Sequence, residues 1–548
     1  MVVRRRAVLK GIGAGAVSLG LAACSTGGSD GAGGAAATTA GTGGTASGAG
    51  GPYSLTFDPS AYQELTTTIS TGAGDKQVTY RFWRAIPYVA NPVDVTYQSL
   101  NVSVPVTIDG TAVDATRVPI LLANSVGGYL PSSVADATEV GGAGMGGGGM
   151  PGGAPGGATG SATGSGSATS GSSAEATSGS NEMLSASGEQ VSLAKLALAA
   201  GYVVVEPGAR GRTLTNSAGE YYGVAPAAIV DLKAAVRYVR ANSGRLPGNP
   251  ERIITSGVSA GGALSALQGA SGDSPRYDAY LSELGAADAS DAIFASGDWC
   301  PITDLEHADG AYEWCWGANP TASGQVDQSL SAALAGQFGT YQQGLGLSAD
   351  GFGAVTADTY GAYLVATYLQ PAATSALAAL SEADRTAYLQ SNTWITWSNN
   401  QATFAWKDFL THVGTRKKTL PAFDAFDLSA GENNLFGLGT TQSRHFTQFS
   451  QDRSTAGSLT ALGDDIPGTL SLMNPMTHLR ENTATRAQHW WIRVGTADSD
   501  TSLTVVANLA LQLRALGADV DAKMYWDRGH GANDDPAEFI AWIARISA

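Results

Sequence analysis

Gly257-Val258-Ser259-Ala260-Gly261 sets a hydroxyl between two glycines at G-x-S-x-G spacing. A serine hydroxyl is a weak nucleophile until a neighbouring base takes its proton. The usual base is an imidazole held in place by a carboxylate. The chain offers both downstream, in the order Ser, acid, His: Asp498 or Asp500 in Ala497-Asp498-Ser499-Asp500, then His530 in Arg528-Gly529-His530-Gly531. Of the 6 histidines, His530 is the only one C-terminal to every run that reads as a strand. The chemistry implied is nucleophilic acyl transfer, with Ser259 attacking a carbonyl and His530 as general base. Asp498 and Asp500 share a face in an extended segment, so spacing alone leaves the acid open between them. The oxyanion formed on attack needs backbone donors. Ala260 supplies one N–H. Gly127 is the preferred second donor, with Gly128 next, in the glycine-bearing run Ser125-Val126-Gly127-Gly128-Tyr129.

These residues need a frame. Val118-Pro119-Ile120-Leu121-Leu122-Ala123 and Tyr202–Val205 are continuous apolar runs, as expected of strands buried on both faces. Arg252–Thr255, Trp490–Val494 and Ala522–Trp526 read as further strands. Ile229, Leu232, Val236 and Val239 recur at helical spacing within Ala228–Ala241, and Gly262–Gly269 and Leu503–Leu516 also read as helices. Alternating strands and helices imply an α/β fold with a mostly parallel central sheet flanked by helices. Ser259 falls at a strand-to-helix turn, where its backbone is strained and flanking glycines give room. That context is the α/β-hydrolase fold. Its core is expected in residues 52–303 and 476–548, interrupted by a Gly/Ser-rich loop insertion at 141–180. Residues 304–475 are helical and Ala-rich, hold Trp314, Trp316, Trp394, Trp397 and Trp406, and are expected as an inserted lid domain.

The chain of 548 residues carries a formal net charge of −16, which sets aside nucleic acid and anionic lipid headgroups as partners. A basic run stands near the N-terminus. Arg4-Arg5-Arg6 resembles a twin-arginine export signal, and the apolar run from Gly11 to Ala23 is too short to span a bilayer. The run ends Leu21-Ala22-Ala23-Cys24, which resembles a lipobox. Residues 1–24 are therefore expected as a lipoprotein signal, with Cys24 lipidated, and 25–51 as a disordered Gly/Ala/Thr tether. The mature protein is expected to be exported, extracytoplasmic and anchored to the cell membrane, touching it only through that lipid. Cys300 and Cys315 permit a disulfide without requiring one. No cysteine has metal-ligand spacing to a histidine, and the chemistry calls for no metal and no organic cofactor.

Several ordered motifs resemble bacterial tannases, esterases that release gallic acid from gallate esters. They are Asn124–Tyr129, Arg210-Gly211-Arg212, Arg252–Thr255 running into Ser259–Leu267, Cys300-Pro301-Ile302-Thr303-Asp304-Leu305, and Ala311-Tyr312-Glu313-Trp314. The resemblance runs from about Val118 to the C-terminus, broken by the Gly/Ser insertion. It places the acid on Asp498. It also implies that the galloyl hydroxyls are held by Lys418 (with Lys417 as fallback), Glu432 and Asp500. Carboxylates and an ammonium at one end of a pocket suit vicinal phenols, which both donate and accept hydrogen bonds. The implied substrate is a small aromatic ester. The internal Gly/Ser tract and the lipid tether depart from a typical member. Three other readings stand beside this one. A carboxylesterase for feruloyl or protocatechuoyl esters would use the same catalytic residues, a peptidase would need a better-protonated leaving group, and a silent surface binding protein would not need the Ser-Asp-His set.

Overall fold

Strands at the centre of an α/β sheet are covered on both faces, so they must be apolar throughout, and the runs picked out above meet that demand. In the computed structural model, which describes residues 52–142, 144–145, 183–457 and 461–548, they lie side by side. The expectations for Arg4–Arg6, Cys24 and the tether, and for most of the 141–180 insertion, fall outside the described residues.

Among the described residues, ten strands form one sheet. They are β1 (Gln63–Thr71), β2 (Gly74–Pro87), β3 (Ser99–Ile108), β4 (Thr111–Ala112), β5 (Ile120–Ala123), β6 (Val203–Pro207), β7 (Ile253–Val258), β8 (Ala295–Trp299), β9 (His489–Gly495) and β10 (Asp519–Tyr525). The order is β1-β2-β3-β6-β5-β7-β8-β9-β10, with β4 on β3. β1, β2 and β3 pair antiparallel, and β3 meets β6 antiparallel. From β6 onward every pair is parallel, with Ile120 opposite both Val203 and Ile253, Ile254 opposite Ala295, and Ala295 opposite His489. The last strand runs Asp519–Tyr525, three residues earlier at its start than the apolar run suggested, because its first half is only partly buried and carries polar side chains.

The helices that bear on the site are α1 (Leu193–Ala199), α2 (Ala227–Ala241), α3 (Ala260–Ala270), α4 (Leu305–Trp316), α5 (Gln328–Leu345), α6 (Pro475–Glu481), α7 (Leu503–Ala515) and α8 (Pro536–Ser547). Every residue of α3 is buried, which explains its small side chains. A Cβ on Gly269 would lie 2.5 Å from the Trp490 ring of β9. The connection from β8 to β9 contains α4, α5 and α6, so the segment expected as a lid is an excursion within one crossover. It belongs to the same compact unit, residues 47–548. A buried ion pair between Arg416 and Glu313 of α4 ties its interior together. Among the described residues, no helix is long and apolar enough to cross a membrane.

Candidate active site

The turn between β7 and α3 sets Ser259 at φ 59° and ψ −122°, a conformation costly for a side chain with a Cβ and one that cores of this kind enforce by packing. Both glycines of the motif are required by close approach. A Cβ on Gly257 would lie 2.3 Å from Gly261 O, and one on Gly261 would lie 2.6 Å from Val126 O. Ser259 N–H donates to Trp299 O at 2.9 Å, which locks the turn to the end of β8. Ser259 itself is half-buried and open to solvent. Asn124, at the end of β5, donates through Nδ2 to Ser256 O and Gly261 O at 3.0 and 3.1 Å, and its Oδ1 accepts from Val126 N–H at 3.3 Å. One buried amide therefore joins the serine turn to the loop holding Gly127. Ala260 N–H opens α3, where no helical carbonyl is available to it.

The carboxylates separate clearly. Asp498 is fully buried, and its Oδ2 accepts from His530 Nδ1 at 2.8 Å. Asp500 Oδ2 stands 4.0 Å from the same nitrogen. The pairing directs the Nδ1 proton at Asp498, so that the unprotonated nitrogen of the neutral ring is Nε2. Burial alone would lower the His530 imidazole, but the Asp498 carboxylate and the neighbouring Cys300 hold it well above the ordinary histidine range. Ser259 Oγ makes no hydrogen bond among the described residues. His530 Nε2 instead lies 3.9 Å from Cys300 Sγ, the residue next to the carbonyl that anchors Ser259.

Cys300 is the group that spacing missed. Its φ of 38° turns the chain sharply at the end of β8 and delivers the buried thiol to the imidazole. Cys300 and Cys315 are both free and buried, so no disulfide joins them. Burial pushes the Cys315 thiol up to about 12. Sequence spacing offered no metal-type cluster, yet the fold brings Cys300, Asp498 and His530 ligand atoms within 4.8 Å of one another. The carboxylate meets the ring at Nδ1, at 2.8 Å, and the thiol lies 3.9 Å from Nε2.

The loops are laced together. Ala497 N–H donates to Arg528 O and Asp527 N–H to Thr496 Oγ1, both at 2.9 Å. Leu184 N–H donates to Gly531 O at 3.0 Å, and Asn533 N–H returns to Leu184 O at 2.8 Å, so the chain leaving the Gly/Ser tract flanks the His530 loop. From the β8–β9 excursion, His412 Nε2 meets Asp527 Oδ1 at 2.6 Å.

The three expected ring-binding side chains have different neighbours. Lys417, not Lys418, reaches Asp500, at 2.8 Å. Lys418 Nζ sits 3.7 Å above the centre of the Phe423 ring, while its backbone N–H donates to Tyr312 Oη at 3.1 Å. Tyr312 in turn donates to Ser499 O at 2.6 Å, which joins the lysine run to the acid loop. Burial would raise the Asp500 carboxyl, but His530, Lys417 and Lys418 outweigh it and hold Asp500 below the usual range. Glu432 lies in the first turn of the short helix Gly431–Leu435. Its charge acts on Tyr129 and Arg212.

Sheet order, the strained serine turn and the paired imidazole define an α/β-hydrolase. A BD-FAE family description matches residues 179–342. Esterase LipC of Mycobacterium tuberculosis is 40% identical over 76 residues, and the chain spans about a fifth (19%) of that protein's length. The tannin acyl hydrolase structure from Lactobacillus plantarum is 34% identical, with 90% of this chain and 99% of that chain covered at a TM-score of 0.71. The Fusobacterium nucleatum tannase structure is 33% identical, with 90% and 100% covered at the same TM-score of 0.71. A tannin acyl hydrolase in complex with ethyl gallate also matches at 34% identity. The chain belongs to the bacterial tannase family, and it is an esterase.

Proposed function

We propose that the protein hydrolyses galloyl esters through an acyl-enzyme. Ser259 Oγ attacks the ester carbonyl while His530 Nε2 takes its proton. The N–H groups of Ala260 and Gly127 hold the oxyanion, and His530 returns the proton to the leaving alcohol. Water then attacks the acyl-enzyme by the same proton path. Asp498 fixes the ring and stabilises the imidazolium. The ring hydroxyls face Asp500 with Lys417 and Lys418 on one side and Glu432 on the other. The observation that carries this reading is the 2.8 Å pairing of His530 Nδ1 with buried Asp498, next to a serine turn anchored on the strand end that bears Cys300. The ethyl gallate complex of a 34% identical relative supports the choice of acyl group.

A panel of methyl gallate, methyl protocatechuate, methyl ferulate, methyl benzoate and p-nitrophenyl acetate, with Ser259→Ala as blank, tests it. The expected order has methyl gallate first, methyl benzoate last among the methyl esters, and a blank down by at least ~1000-fold. Sites that hydrogen-bond hydroxyls reject analogues lacking them strongly. Turnover of the acetate alone would overturn the substrate and leave an esterase. Equal or faster turnover of ferulate would favour the feruloyl alternative. For location, the N-terminal signal and Cys24 support export with a lipid anchor. Cys24→Ser is expected to move the protein from the membrane fraction to the soluble one.

A further inference from the structure

The loop that offers the oxyanion donors and the short helix that bears Glu432 come from distant parts of the chain, and one side chain joins them. Arg210 and Arg212 stand two apart after β6 with different tasks. Arg210 is absorbed by a buried fork onto Asp231, with Nε and Nη2 at 2.9 and 2.8 Å from its oxygens. Arg212 donates its backbone N–H to Tyr129 O at 2.9 Å and its Nε to Gly128 O at 2.8 Å. It thus grips two successive carbonyls of a loop in which Gly128 and Tyr129 take φ of 54° and 56°. A left-handed Tyr is strained, so this loop keeps its shape only where its surroundings impose it.

The other edge of the guanidinium looks to the ring-binding side. Nη1 donates to Asn434 Oδ1 at 2.9 Å, and Asn434 is two residues from Glu432 in the same helical turn. Gly431 exists there to admit the guanidinium, since a Cβ would lie 2.8 Å from Nη2. Gly211 packs equally tightly below, its would-be Cβ 2.1 Å from Pro131 N. Asn434 is buried and anchored onward to Gln442 O at 2.8 Å.

We propose that Arg212 is a positioning residue that couples recognition of ring hydroxyls at Glu432 to placement of the backbone donors at Gly127 and Gly128. The inference rests on the assignment of Glu432 made under Proposed function. Contact of a hydroxylated ring with Glu432 steadies the helix, the guanidinium and the two carbonyls in turn, so ring hydroxyls raise kcat as well as affinity. A planar fork is needed, because a lysine ammonium cannot reach Gly128 O and Asn434 together.

The experiment is a double-mutant cycle of Arg212→Ala with Glu432→Gln, plus Arg212→Lys and Asn434→Ala, assayed on methyl gallate, methyl benzoate and p-nitrophenyl acetate with Tm recorded for each. Arg212→Ala is expected to lower kcat on all three esters by about tenfold or more, in the manner of a lost oxyanion donor. It should also shrink the gallate-to-benzoate ratio. Arg212→Lys should behave like the alanine variant on kcat. Asn434→Ala should lose more on gallate than on acetate. The cycle should be non-additive by threefold or more on gallate and additive on acetate. Additivity on gallate, or an Arg212→Ala effect confined to KM, overturns the coupling. A wild type with no preference for gallate over benzoate overturns the substrate reading instead, so the two failures are distinct.

Discussion

At His530 the electrostatics set a sign. Burial would lower the ring, but Asp498 and Cys300 raise it well above the ordinary value of about 6.5. A base must be unprotonated to act, so kcat/KM should fall as pH drops through that raised value. The acidic limb on methyl gallate is therefore expected above pH 6.5. Asp498→Asn should move the limb downward and cut kcat by roughly 10⁴-fold. A limb left unmoved would mean that another group titrates. The stability linkage runs opposite to the activity: the His530–Asp498 pair contributes most below the unfolded pKa and loses its contribution as pH rises through the folded one. Asp298 shows the same sign in a carboxyl. It is buried in β8 with Oδ2 unpartnered, and burial pushes it up to about 8 against the pull of the Ser296 and Ser265 hydroxyls. The folded chain then keeps a proton that the unfolded chain releases, so stability falls as pH rises from about 4 to about 8, by up to ~1.4 kcal/mol per pH unit. Asp298→Asn should gain Tm over wild type progressively across that window. A constant difference between pH 4 and pH 9 would refute the assignment. The pairing of Asp498 with His530 could be anticipated from residue types, because acid and imidazole keep a chain order in this fold. The lysine pair could not. Adjacent positions point apart, and only packing decides that Lys417 reaches Asp500 while Lys418 lies on Phe423.

The elements show why the pattern was legible where it was. β5, β6, β7 and β9 announce themselves because both faces are covered. β1 is largely exposed and rich in threonine, so it carries no apolar run, and the antiparallel edge of the sheet escaped the reading. The segment after the Gly/Ser tract escaped for a different reason. Met183–Leu184 is a two-residue strand whose value lies in backbone hydrogen bonds, which side-chain patterns do not record. Leu184 N–H to Gly531 O and Asn533 N–H to Leu184 O brace the loop of His530 from outside. Leu184→Pro removes the first of these donors, whereas Leu184→Ala keeps it. The proline variant should lose ~1 kcal/mol of stability and about tenfold or more in kcat, since small misplacements of a catalytic group are costly. The alanine variant should stay within about twofold in kcat. Equal losses in both would show that the side chain matters and the backbone brace does not.

At the scale of the molecule, the reading of a mostly parallel sheet flanked by helices matches the described chain, because alternation of strand and helix is a long-range pattern that survives local errors. What alternation could not supply is how the Gly/Ser tract is fixed to that frame. Its upstream end pairs Gly144–Met145 with Ser132–Ser133, just past the oxyanion loop, and buried Glu206 accepts from Gly141 N–H through both oxygens at 3.1 Å. Its downstream end pairs Met183–Leu184 with Gln190–Val191, beside the His530 loop. Both ends are thus held by the folded body. The length between them then enters folding mainly as loop closure, which changes by only about 0.6 kcal/mol for each twofold change in length. Replacing residues 146–182 by a Gly/Ser linker of a quarter of the length should therefore raise stability by ~1 kcal/mol in denaturant unfolding and leave kcat/KM on methyl gallate within about twofold of wild type. The brace at Leu184 predicts the limit of this tolerance: extending the deletion through Leu184 should cost activity as Leu184→Pro does, while the shorter deletion does not. A loss of activity from the shorter deletion at unchanged stability would mean that the tract itself acts at the site.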